Sequence, residues 1–165
     1  MEIRKIQRED ASNYLEMLLN LDNETKFMMF EPGERPTDIN LAKNRIEKSI
    51  TGDDLVLIAV ENEKIIGFLS VQRGAAKRIK HTGYIVVGIR DKFRCQGIGS
   101  KFFSELDHWA IENNITRLEL SVICTNEIAK HLYEKNGFKV EGLKKNAMII
   151  DGKYIDEFAM AKLFN

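Results

Sequence analysis

Two prolines and two cysteines in 165 residues rule out whole classes of architecture. So little proline excludes a collagen-like or polyproline chain, and Cys95 and Cys124, without metal-ligand spacing, exclude a disulfide-stapled scaffold or a zinc ribbon. Each cysteine reads as a small buried or half-buried residue. Cys95 has a second reading as a reactive thiol, because helix starts lower thiol pKa. No excess of one charge exists either: 25 basic and 25 acidic residues give a formal net charge of +0. A nucleic-acid or membrane-surface footprint is therefore not expected. No apolar run approaches the roughly 20 residues that span a bilayer, and Met1-Glu2-Ile3-Arg4-Lys5-Ile6 alternates in polarity, unlike a signal peptide. A cytoplasmic location follows by default, with no membrane, nucleic-acid or metal partner expected.

What is present suits one globular domain over residues 1–165, with 44% apolar and 30% charged residues. Ile3 to Ile6 reads as a short strand. Ala11, Tyr14, Leu15, Leu18 and Leu19 recur at helical spacing, predicting a helix over about 9–21. A loop with two prolines follows at Glu31 to Pro36, then a helix that Thr37 caps and Gly52 stops. Leu55–Val60 and Ile65–Val71 are strands joined by a hairpin at Asn62-Glu63. The basic segment 74–80 reads as a loop or a frayed strand end before a strand at about Thr82–Arg90, in which Gly88 marks a bulge or splay.

A helix is predicted from Gly97 to Asn113, with Ile98, Phe102, Leu106, Trp109 and Ala110 on one face. Leu118, Leu120 and Val122 alternate as a strand, and a short helix over about 126–135 stops at Asn136-Gly137. Phe138–Leu143, Ala147–Ile150 and Tyr154–Leu163 read as strands, the last two joined by a tight turn at Asp151-Gly152.

Two stretches carry chemistry. The first runs from the strand Tyr84-Ile85-Val86-Val87 through a charged bend to Arg94-Cys95-Gln96-Gly97-Ile98-Gly99-Ser100 at a helix start. First-turn amides lack intrahelical acceptors, the helix dipole adds partial positive charge, and bare glycines let a phosphate approach the main chain. A dinucleotide fingerprint would need glycine where Phe102 stands, and a Walker loop would need a Gly-Lys-Ser/Thr ending. The second stretch is Asn126 to Phe138, in which Asn126 and Tyr133 lie two helical turns apart with Ala129 between them.

Arg94, Gly97 and Gly99 match the arginine-x-x-glycine-x-glycine signature of the GNAT N-acetyltransferase superfamily, and Asn126, Ala129, Tyr133, Gly137 and Phe138 resemble its second hallmark. The resemblance is specific over about residues 80–140. It implies a mixed α+β fold: a central, mostly antiparallel sheet of about seven strands, splayed between strands 4 and 5 and flanked by about four helices. It also implies acetyl-CoA as co-substrate, without a metal. Arg94, Cys95, Gln96, Gly97, Ile98, Gly99 and Ser100 would hold the pyrophosphate. Ile89 and Asn126 would contact the cofactor arm, and a backbone N–H near Ile89 would stabilise the oxyanion.

The expected reaction is direct attack of a primary amine on the thioester in a ternary complex, with Tyr133 protonating the leaving thiolate. Glu31 and Glu34, on the loop that covers the acceptor side in that family, are candidate substrate-binding residues. They are also candidate bases, with His81, Asp156 and Glu157. The acceptor is a small-molecule or peptide amine, and pairing of two copies is an expectation that family members carry. Two other readings stand: a non-catalytic acyl-CoA sensor, which the intact Tyr133 argues against, and a nucleotide-binding protein, disfavoured by the missing lysine and hydroxyl.

Overall fold

The structure, a computed structural model, describes all residues from Met1 to Asn165. Its strands form one seven-stranded sheet in the order β1-β2-β3-β4-β5-β7-β6. The chain divides into two compact units, residues 1–72 with 86–102 and residues 73–85 with 103–165.

The first unit begins with β1 (Glu2–Lys5), which runs antiparallel to β2 (Leu55–Glu61), and β2 in turn pairs antiparallel with β3 (Lys64–Arg73). The β2–β3 hairpin turns at Asn62 and Glu63, both at positive φ (48° and 63°). Two such residues in sequence match the right-handed twist of the flanking strands. Residues 55 to 59 of β2 are all buried, as expected of an unbroken apolar strand covered on both faces.

Helix α1 (Ala11–Glu24) and helix α2 (Ile39–Thr51) supply the other wall of this core. Tyr14, Met17, Leu18 and Leu21 of α1 cluster with Ile46 of α2 and with Val56, Ile58, Ile65 and Phe68 of the strands. Tyr14 meets Phe68 edge-on at 5.8 Å. The cap of α2 is Asp38, whose carboxylate accepts from the Asn40 amide, and not the expected Thr37. Either residue type can cap; the chain enters one residue later, and the charged acceptor takes the position. Gly52 does end α2, at a negative φ of −111°.

Strand β4 (Thr82–Ile89) leaves the loop that follows β3. Its registered parallel pairing with β5 (Arg117–Ile123) covers only Thr82–Tyr84 against Arg117–Glu119. Gly88 has a packing role: a Cβ there would sit 2.9 Å from both Leu21 Cδ1 and Phe68 Cε1. Gly67 of β3 does the same for the backbone, since a Cβ would lie 3.0 Å from the Gly88 carbonyl oxygen.

In the second unit β5 pairs antiparallel with β7 (Lys153–Leu163), and β7 with β6 (Lys139–Ile150). Leu118, Leu120 and Val122 are buried, as their alternation predicts. The two strands expected at 138–143 and 147–150 are a single strand. Register shifts between Val140 and Gly142 and between Lys144 and Met148, with Asn146 at φ 52°, absorb the polar stretch that looked like a break. Asp151 (φ 51°) and Gly152 (φ 74°) make the expected tight turn.

Helix α3 (Ile98–Glu112) buries Phe102, Phe103, Leu106, Trp109 and Ala110. Lys162 of β7 pairs with Asp107 of α3 at 2.6 Å. Helix α4 (Glu127–Lys135) stops where Gly137 takes φ 92°. No helix is long and apolar enough to cross a membrane.

Candidate active site

The glycine-rich loop belongs to the first unit. After β4 a 3-10 turn, Asp91–Phe93, leads to Arg94 in an extended conformation, and then Cys95 and Gly97 adopt positive φ of 59° and 80°. Alternation into the left-handed region curls the main chain so that successive amides face one side, the geometry of an anion nest. The α3 ladder opens with Lys101 N–H donating to the Gly97 carbonyl at 3.2 Å, so the amides before it have no intrahelical acceptor. A Cβ at Gly97 would meet no protein atom within 4 Å. The loop is therefore open on that side, and its bare amides beside Arg94 are a donor set that would suit a diphosphate such as that of acetyl-CoA.

Around that curl, Ile98 is buried and anchors the loop to the core, whereas Cys95, Gln96 and Gly97 are exposed. Gln96 donates to the Lys92 carbonyl at 3.1 Å. Arg94 is half-buried; its Nε donates to the Ile89 carbonyl at 3.1 Å and its Nη1 pairs with Asp91 at 3.0 Å. Ser100 lies in the first turn of α3, beside the buried Gly99.

The Ile89 main chain is set by its neighbour. Arg90 N–H donates to the Ile66 carbonyl of β3 at 2.9 Å. Backbone groups along an antiparallel strand alternate sides, so the Ile89 N–H points away from β3. It is a main-chain donor outside the β3 ladder, which suits the oxyanion or cofactor-arm contact expected of it.

The second unit holds Asn126 and Tyr133. Asn126 caps α4: its side-chain oxygen accepts from Ala129 N–H at 3.3 Å. That leaves the side-chain NH₂ as its donor, so capping and a ligand contact use different atoms of one amide. Tyr133 is 7% exposed and packs against Phe103 and Phe138, with ring centroids 5.8 Å and 6.2 Å away. Burial pushes its phenol well above the ordinary value, with the nearby Tyr84 phenol adding to the shift. The hydroxyl is thus a proton donor throughout the neutral range.

The acidic candidates differ in how far their carboxylates are already engaged. In the first unit Glu31 and Glu34 are exposed, and Glu34 carboxylate accepts from the Glu31 amide at 2.9 Å. In the second, Asp156 accepts from the Asn146 amide at 2.9 Å, and Glu157 lies 3.4 Å from Lys144. These two carboxylates, after burial itself, raise the Cys124 thiol above its ordinary value. His81 is exposed, and its carbonyl accepts from the Thr116 and Arg117 amides.

Sequence reasoning missed Glu24, Arg90 and Asp91, which brace the loop, and Phe103, which floors Tyr133. A second apolar residue beside Phe102 was the one available signal for Phe103; nothing in the spacing of 24 and 90 signals their meeting.

Comparison with known proteins bears on the family of the chain. The family model described as an acetyltransferase (GNAT) domain matches residues 3–159. A crystal structure of a GNAT-family acetyltransferase from Streptococcus pneumoniae is 30% identical, with a TM-score of 0.95 over 99% of each chain. The L-amino acid N-acetyltransferase AaaT of Escherichia coli (strain K12) is 26% identical over 111 residues, which is 65% of this chain and 67% of that protein. The yncA protein of Salmonella typhimurium, solved with its cofactor acetyl-CoA, shares the fold at a TM-score of 0.89 and 19% identity, over 100% of this chain and 94% of that one. The chain belongs to the GNAT acetyltransferase family and is an acyltransferase.

Proposed function

We propose that the protein moves the acetyl group of acetyl-CoA to a primary amine by direct attack in a ternary complex. The observation that carries this reading is the curl at Cys95 and Gly97, with its first-turn amides and open side. There Arg94, Cys95, Gln96, Gly97, Ile98, Gly99 and Ser100 hold the diphosphate through main-chain N–H groups and one guanidinium. The Ile89 amide and the Asn126 side-chain NH₂ bind along the cofactor arm.

Bound acetyl-CoA supplies the activated acyl group; the chain supplies position and protons. Holding both reactants in line contributes several kcal/mol toward the barrier. A backbone N–H near Ile89 donates to the developing oxyanion. Tyr133, kept protonated by burial, gives its proton to the leaving thiolate. Exposed Glu31 and Glu34 attract the ammonium form of the acceptor, which gives its proton to a side-chain base or, through a water, to solvent before it attacks. The L-amino acid named for the AaaT relative makes α-amines of amino acids the first acceptors to try.

Two measurements test the reading: calorimetric binding of acetyl-CoA, and thiol release from acetyl-CoA across a panel of amino acids, polyamines and peptides. Binding without turnover on any amine would favour an acyl-CoA sensor. No binding would end the acetyl-CoA reading altogether.

A further inference from the structure

The last turn of α1 carries two carboxylates, Asp22 and Glu24, that grip two different segments. Two residues apart on a helix are about 200° apart in direction, so their side chains leave opposite sides of the axis. Asp22 is 2% exposed and holds Arg35 by two parallel bonds, Nε to Oδ2 at 2.6 Å and Nη2 to Oδ1 at 2.9 Å. The Arg35 guanidinium also lies 4.8 Å from the centroid of the Phe30 ring. The stretch between α1 and α2, which contains Glu31 and Glu34, is thereby tied to the helix near its end through Arg35, and Phe30 in its middle lies against the same guanidinium.

Glu24 grips the other segment. Its Oε1 accepts from Arg90 Nε at 2.8 Å and Nη2 at 2.7 Å, and its Oε2 accepts from the Asp91 amide at 3.0 Å. The Asp91 carboxylate then pairs with Arg94 at 3.0 Å. One carboxylate thus sets the direction of the 3-10 turn from which Arg94 and the glycine curl emerge. Burial works against the charge on Glu24, but the bonds from Arg90 and the Asp91 amide outweigh it and keep the carboxyl below its ordinary value. A fork holding both a side chain and a main-chain amide constrains orientation more than a solvent-exposed ion pair does.

We infer that the C-terminal turn of α1 is a two-sided clamp, in which Glu24 with Arg90 positions the diphosphate loop and Asp22 with Arg35 positions the acceptor segment. Neither pair has a part in the proposed chemistry; Asp22, Glu24, Arg35 and Arg90 are positioning residues. This assignment rests on the acetyl-CoA reading for its kinetic consequences and on geometry alone for its structural ones.

The test has a readout for each. In the free protein, amide hydrogen exchange should accelerate in residues 91–99 for Glu24→Gln and in residues 25–38 for Arg35→Lys, each leaving the other segment unchanged. In steady-state kinetics Glu24→Gln should raise the KM for acetyl-CoA about tenfold and leave the amine KM within about twofold. Arg35→Lys should do the reverse, and Arg90→Lys, which keeps the charge and loses the fork, should behave like Glu24→Gln. Equal acceleration of both segments, or both KM values moving together, overturns the clamp. Failure of the wild type to bind acetyl-CoA would sink the functional reading, and the exchange pattern would still decide the clamp.

Discussion

Tyr133 and Phe103 meet edge to face, with ring centroids 5.8 Å apart and planes at 76°. The contact holds the phenol in an apolar wall through its ring, not through its hydroxyl. Tyr133→Phe should therefore leave the melting temperature within about 2 °C, since exchanging a ring for a ring of the same shape keeps the packing. Acetyl-CoA affinity should also hold, while kcat falls about 100-fold or more, the usual range for loss of a general acid. Thiol-release kinetics beside calorimetry give both numbers, and an unchanged kcat would remove Tyr133 from the acid role.

Gly97 sits at φ 80° with open space where a Cβ would go. Valine there is strained by its backbone alone, at a cost of about 1–2 kcal/mol, and its branches fill the side on which the phosphates would lie. Gly97→Val should weaken acetyl-CoA binding about tenfold or more, with Gly97→Ala intermediate. Calorimetry of both variants checks this order; undiminished binding would place the diphosphate elsewhere.

Gly88 answers a different demand, the fit of Leu21 and Phe68 against β4. A methyl group 2.9 Å from each has nowhere to go in a filled core. Gly88→Ala should lower stability by about 1–3 kcal/mol, the usual cost of overpacking, seen as a lower urea midpoint with an unchanged slope.

Acid should unfasten β1 from the start of α1. Asp10 is held below its ordinary value first by hydrogen bonds from Arg4, against an opposing effect of burial, and then by the Gln7 amide. A depressed carboxyl contributes stability above its unfolded value, near pH ~4, and that contribution disappears as pH falls through the lower folded value. The melting-temperature gap between wild type and Asp10→Asn should be widest at neutral pH and narrow steadily below pH ~4. A gap independent of pH would mean that the Arg4 pairing contributes nothing to folding.

Much of this architecture is legible in local pattern. The spacing of Ala11, Tyr14 and Leu18 marks the buried face of α1, and Leu118, Leu120 and Val122 mark that of β5. Asp151-Gly152 marks a hairpin because few residues tolerate positive φ, and Asn62-Glu63 marks another by separating two apolar runs. Local pattern failed where two local solutions were equally good. Thr37 and Asp38 both make caps, and the polar run 144–146 reads as a loop although bulges carry it through β6.

The candidate site divides in the same way. The order of residues along the chain determined the loop from Arg94 to Gly99 and the helix bearing Asn126 and Tyr133, because helix starts, glycine conformations and i to i+7 faces are short-range properties. Tertiary structure alone decided that Glu24 would reach Arg90 and Asp91, and that Asp22 would reach Arg35. A salt bridge needs only opposite charges and a meeting in space, and no local spacing rule records a meeting between residues 66 positions apart.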